Sequence, residues 1–136
     1  MSEHQITVLV MAPLVALFAW SVAAINGAVE RGKYDINPAI GIRTSSTMHC
    51  EDCWRAGHHA AAGPLRHMLP PVLLLALAAL AATLLESVSG PVPAYAMLAV
   101  GFSWIMAAMV AAAHKANAAA RNLHSENQHP DAQLPR

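Results

Sequence analysis

From His4 through Val29 the chain carries no lysine, arginine, aspartate or glutamate. Within that stretch, Ile6 to Ile25 is twenty residues, the length that about 30 Å of hydrocarbon demands at about 1.5 Å rise per residue. A second uncharged run, Met68 to Leu85, is rich in leucine and stops at Glu86. A third, Ala94 to Ala113, follows Pro91 and Pro93 and ends at His114 and Lys115. Pro13 falls inside the first run, which lipid tolerates because neighbouring helices cover the freed carbonyl. Pro70 and Pro71 suit the first turn of the second. The first run is too long for the apolar core of a signal peptide and lacks its basic flank, having Glu3 and His4 instead.

Composition agrees. Of 136 residues, 56% are hydrophobic and 12% charged, and the mean hydropathy is +0.40. A soluble domain carries about 25% charged residues, and one of this size cannot bury so much apolar surface. The net charge is zero, which removes the electrostatic pull needed for nucleic acid, and aromatics at 5% leave little for base stacking. The expected fold is all-α: an integral membrane bundle of three transmembrane helices, spans 6–28, 68–86 and 93–114, forming a single membrane domain over 1–123. A cytosolic loop, 30–67, joins the first two spans, and residues 124–136 read as a disordered cytosolic tail.

The basic residues set the orientation. Arg31, Lys33, Arg43, Arg55 and Arg66 lie between the first and second runs, and Lys115, Arg121 and Arg136 follow the third. With three spans these eight fall on one side and none on the other, which places the N-terminus outside and the C-terminus inside.

The long polar segment between the first two runs carries the rest of the information. Ile36, Ile40 and Ile42 alternate, as in a short extended piece. Asn37 before Pro38 is biased away from helix, and Gly41 frees the backbone ahead of Arg43. An amphipathic helix is expected at Glu51–Ala62, with Glu51 and Asp52 in its first turn and Gly63 with Pro64 ending it. Trp54, His58 and Ala61 or Ala62 share one face, while Arg55 and His59 point elsewhere. Such a helix lies at the inner interface with Trp54 as its anchor.

Three chemistries compete in this segment. Cys50 and Cys53, with His49, His58 and His59 nearby, do not converge as the four ligands a zinc site needs, so the reading is two free thiols in a reducing compartment, one facing the bundle, and no metal and no cofactor. Arg43 either grips a lipid phosphate or a carboxylate such as Glu51 or Asp52, or holds the loop to its own helix. His58 is either an acid–base group beneath a lipid substrate or a hydrogen-bonded member of its helix face. No paired carboxylates and no nucleophile–base pair suggest a catalytic site. In the third run Ala99, Ser103, Ala107 and Ala111 repeat every four residues, a spacing that lets helices pack closely.

The string Asn37-Pro38-Ala39-Ile40-Gly41-Ile42-Arg43-Thr44, followed by Thr47, Trp54, His58 and Gly63, resembles the SdpI family, with Cys50 standing where that family's pattern has a capping serine. By motif the resemblance covers Asn37 to Pro64. It implies a bacterial cytoplasmic (inner) membrane protein of toxin-immunity type, protecting a cell from a membrane-active peptide, with a signalling role in sequestering a repressor. The functional motif is then Asn37, Gly41, Arg43, Thr44, Thr47, Trp54 and His58. The expected partners are membrane lipids and either a peptide toxin or a membrane protein, with a homo-oligomer compatible and no nucleic acid. The alternative is an accessory subunit of a larger membrane complex.

Overall fold

A computed structural model describes residues 1–85 and 90–128. Three helices account for most of them: α1 (Glu3–Glu30), α2 (Glu51–Leu84) and α3 (Val92–Gln128). All three are long and apolar enough to cross a membrane. Spans expected at 6–28, 68–86 and 93–114 lie on these helices, except for Leu85, which forms a turn after α2, and residue 86, which is outside the described residues.

The helices are longer than the spans, and α2 differs most. The expected helix at Glu51–Ala62 does not stop at Gly63 but stays helical through Pro64, Pro70 and Pro71. Gly63 takes no positive φ and so builds no helix-ending turn. Each proline only removes one i→i−4 bond. The segment Glu51–Ala62 is accordingly the first part of α2 and not a helix of its own. The chain after 123, expected to be disordered, is helical as far as Gln128; its remainder is outside the described residues.

The chain divides into two compact units, 1–23 with 64–109, and 24–63 with 110–136. In the first, Val8, Ala79 and Ala94 form a buried cluster flanked by Leu80, Ala82, Met97 and Leu98. Gln5 Nε2 donates to the Thr83 carbonyl at 3.3 Å, and His4 Nδ1 lies 3.1 Å from the Tyr95 hydroxyl. Large apolar side chains such as Leu14, Leu74, Leu77 and Phe102 are exposed. Alanines at buried positions, Ala79 and Ala94 among them, let helices pack closely, and large apolar side chains left exposed suit a surface that faces lipid. The small residues that do the packing are not the expected ones: Ala99, Ser103, Ala107 and Ala111 are all exposed. Gly101 faces Leu75 instead, and Ile105 is buried; the contact line of α3 runs through a neighbouring face of the helix, where Ala112, Ala116 and Ala120 are also buried.

Candidate functional site

The second unit contains every motif residue. After α1 the chain turns at Gly32 (φ 71°) and enters a loop of turns and bends rather than an extended piece. Asn37 shapes its first bend. Its Oδ1 accepts from the amides of Ala39 (3.1 Å) and Ile40 (2.7 Å), and its Nδ2 donates to the Asp35 carbonyl (2.9 Å), a side chain mimicking a backbone turn. Arg43 closes the same bend by donating from Nη1 to the Pro38 carbonyl. Its expected carboxylate partner is engaged elsewhere: Glu51 pairs with Arg55 at 3.3 Å and accepts the Ile36 amide at 3.5 Å.

Thr44 and Thr47 bind each other reciprocally. The Thr44 amide donates to Thr47 Oγ1 (2.9 Å) and the Thr47 amide to Thr44 Oγ1 (3.2 Å). Thr47 Oγ1 then donates to the Ile42 carbonyl at 2.8 Å, which ties the second bend to the residue beside Arg43.

α2 supplies the pin that holds this loop. Cys50 and Cys53 are joined by a disulfide of 2.11 Å, correcting the expectation of two free thiols. Separated by three residues at the helix start, their Cα atoms are 5.0 Å apart, inside the span a disulfide bridges. Cys50 Sγ also accepts the Cys53 amide at 3.0 Å, so sulfur takes over the capping duty of a serine. No three His, Cys, Asp or Glu side chains converge as metal ligands among the described residues.

One turn on, Trp54 and His58 are both fully buried, with ring centroids 4.2 Å apart. Trp54 is therefore a core side chain and not a membrane anchor; its Nε1 donates to the Tyr34 carbonyl at 3.2 Å. His58 Nδ1 lies 2.8 Å from the Trp54 carbonyl and Nε2 lies 2.9 Å from the Ile42 amide nitrogen. A carbonyl can only accept and an amide only donate, so the ring is neutral with its proton on Nδ1. Burial pushes its pKa below the usual 6.5, and the bond to the Trp54 carbonyl offsets this in part. Both ring nitrogens are committed to backbone, which leaves neither for a substrate.

Gly41 explains itself here. Its φ is 103°, and a Cβ would stand 2.6 Å from both His58 Nε2 and the Trp54 ring. Only glycine lets the backbone lie flat on the Trp54–His58 pair. Two residues of the site escaped the sequence reading. Asn26, on α1, is buried and donates from Nδ2 to the His58 carbonyl at 3.1 Å; its signal was a lone amide at the end of an apolar run. Gly57 keeps α2 close to Thr47 Cγ2 and the Ala116 carbonyl, which a Cβ would approach to 2.7 and 3.3 Å. The expected face of Trp54, His58, Ala61 and Ala62 is buried, with Arg55 and His59 exposed.

The structure thus brings Asn37, Gly41, Arg43, Thr44, Thr47, Trp54 and His58 into one hydrogen-bonded unit. Residues 33–113 match the SdpI/YfhL protein family. The chain belongs to that family. The match takes in the loop, all of α2 and most of α3. No curated protein and no solved structure matches the chain.

Proposed function

We propose that this SdpI/YfhL-family protein is a toxin-immunity or signal-sensing module of the bacterial cytoplasmic membrane, a binding protein without catalysis of its own. The observation that carries the reading is the family match together with the ordering of the motif residues in one loop that packs on Trp54 and His58 through Gly41 and the Ile42 amide. Their polar atoms are largely spent within the loop, on carbonyls and amides of its own backbone. The motif then works as a frame that stiffens a display surface, and a stiff surface binds at a lower entropic cost than a mobile one. Eight basic residues on one side of three spans and none on the other support an N-terminus outside with the loop and C-terminus inside.

Deletion of the gene in its host, followed by challenge with membrane-active peptides, tests the reading. Resistance restored by the wild type, and not by membrane-inserted Arg43→Lys or Trp54→Ala, is the expected result. The two substitutions together should cost less than the sum of each alone, because they disturb one site. Unchanged survival together with a stoichiometric partner in mild detergent would instead make the protein an accessory subunit. A labelling map that places Arg136 outside would overturn the orientation.

A further inference from the structure

The second unit holds a polar cavity that the motif does not use. It measures about 230 Å³ and is lined by Ser45, Ser46, His49, Arg121, His124 and Ser125, so it has room for much more than one water. A guanidinium, two imidazoles and three hydroxyls face it, and among the described side chains no carboxylate does. His49 and His124 meet edge to face with ring centroids 4.2 Å apart. Arg121 donates from Nε to Ser46 Oγ at 3.4 Å. Among the described residues its two terminal nitrogens have no protein partner, which leaves them free for a planar, two-point contact with an oxyanion. Arg43 and Arg55, by contrast, are engaged by a carbonyl and a carboxylate.

We propose that this cavity binds a phosphate anion, either the phosphodiester of an anionic lipid headgroup or free phosphate. Arg121 on α3 and Ser45, Ser46 and His49 on the loop before α2 border the same space, so a guanidinium fork and hydroxyl donors meet an anion from two sides, an arrangement suited to a tetrahedral phosphate. A second cavity of about 360 Å³ shares Ser45 and Arg121 and extends along α3 past Asn117 and Ala113 to Val110. Those α3 positions are three or four residues apart, on one helix face, and cover about 16 Å of helix axis. The groove passes from the guanidinium to the apolar end of the run 94–113, so a lipid phosphate at Arg121 has an apolar wall beside it for its glycerol and first methylenes.

Titration of the purified full chain in a zwitterionic detergent tests this. The probes are phosphatidylglycerol and phosphatidylcholine, read by native mass spectrometry, and inorganic phosphate, read by thermal shift. The expected result is retention of phosphatidylglycerol over phosphatidylcholine, weakened at least tenfold by Arg121→Gln and abolished by Ser45→Asp, which puts a negative charge on the wall shared by both cavities. Lys115→Gln, at an exposed basic position on α3 outside both linings, should change binding less than twofold. Competition by inorganic phosphate assigns the site to free phosphate, and its failure to compete assigns it to the lipid; either supports an anion site. Equal losses in Lys115→Gln and Arg121→Gln would mean diffuse attraction and overturn the proposal. So would wild-type binding in Ser45→Asp with its helix content intact, or no binding of either anion by the wild type.

Discussion

In the unit made of residues 1–23 and 64–109, Ala12, Ala19, Ala76, Ala79 and Ala94 are buried along with Met68, Val72 and Ile105, while Trp20 and Trp104 are 60% and 51% exposed. In the unit made of residues 24–63 and 110–136, Trp54 is fully buried together with His58 and Thr47. The same indole thus has opposite fates. Where lipid is the surrounding solvent, large apolar groups gain little by turning inward, and close approach of small residues holds the helices. Where a polar loop has to be ordered, its amides and carbonyls need partners, and a buried aromatic with a polar edge supplies area and a hydrogen bond at once.

That contrast breaks if the two kinds of tryptophan respond alike. Trp54→Ala should destabilise the protein by about 3–5 kcal/mol, the usual cost of emptying a buried aromatic site. Trp104→Ala should stay within about 0.5 kcal/mol, as for exposed positions elsewhere. Unfolding of both variants in one detergent measures the difference, and equal losses would mean that the indole at 54 is not the core of its unit.

A pair of glycines sharpens the comparison. Gly41→Ala forces a side chain into positive φ, costing about 1–3 kcal/mol, and adds the overlap with Trp54 and His58. Gly101→Ala places a Cβ 3.7 Å from Leu75, an ordinary contact, and as an interior helix position should be neutral to stabilising by up to about 1 kcal/mol. Hydrogen exchange should rise across residues 33–60 in the first variant and stay unchanged in the second.

The next effect is smaller and depends on pH. His58 is neutral in the fold with its pKa lowered chiefly by burial, so the unfolded chain takes up the proton first. Stability from this group is complete above the unfolded value of about 6.5 and declines as pH falls from there toward the lowered native value. Protonation puts a hydrogen on Nε2, where the Ile42 amide already donates. Between about pH 7.5 and about pH 5.5 the wild type should lose stability, and His58→Gln should lose less across the same interval while starting lower. A steeper loss in the variant would place the proton uptake elsewhere.

How much of this was legible from the residues follows the same division. The three apolar runs announced their helices because hydrocarbon thickness sets a length and excludes charge. The motif residues were legible as a set, and the face carrying Trp54 and His58 followed from helical spacing. Their directions were not legible. Burial of Trp54 depends on a loop folding over it, and the bond of Arg43 to the Pro38 carbonyl depends on the bend that Asn37 builds. The disulfide was hidden because compartment rules favour thiols in a reducing space, and spacing alone leaves both states open. Asn26 and Gly57 answer to neighbours distant in sequence, His58 and Ala116, which no local pattern reveals.

The smallest effect is decided by its sign. Gly63 followed by Pro64 has the form of a helix end, and a glycine capping a helix in the left-handed region is damaged by any side chain. In the structure Gly63 is an exposed interior residue of α2 without positive φ, and a Cβ there would meet nothing within 4 Å. Glycine in a helix interior costs about 0.5–1 kcal/mol relative to alanine because it gives up more freedom on folding. Gly63→Ala should therefore raise the unfolding free energy, by less than that amount because the new Cβ crowds the ring of Pro64, a chain neighbour, in helical conformation. Gly57→Ala, six residues earlier on the same helix, should lower it, since its Cβ would press on Thr47 and the Ala116 carbonyl. Opposite signs at two glycines of one helix are expected if α2 runs unbroken through Pro64. Destabilisation at Gly63 would restore the interrupted helix and, with it, a separate amphipathic segment at Glu51–Ala62.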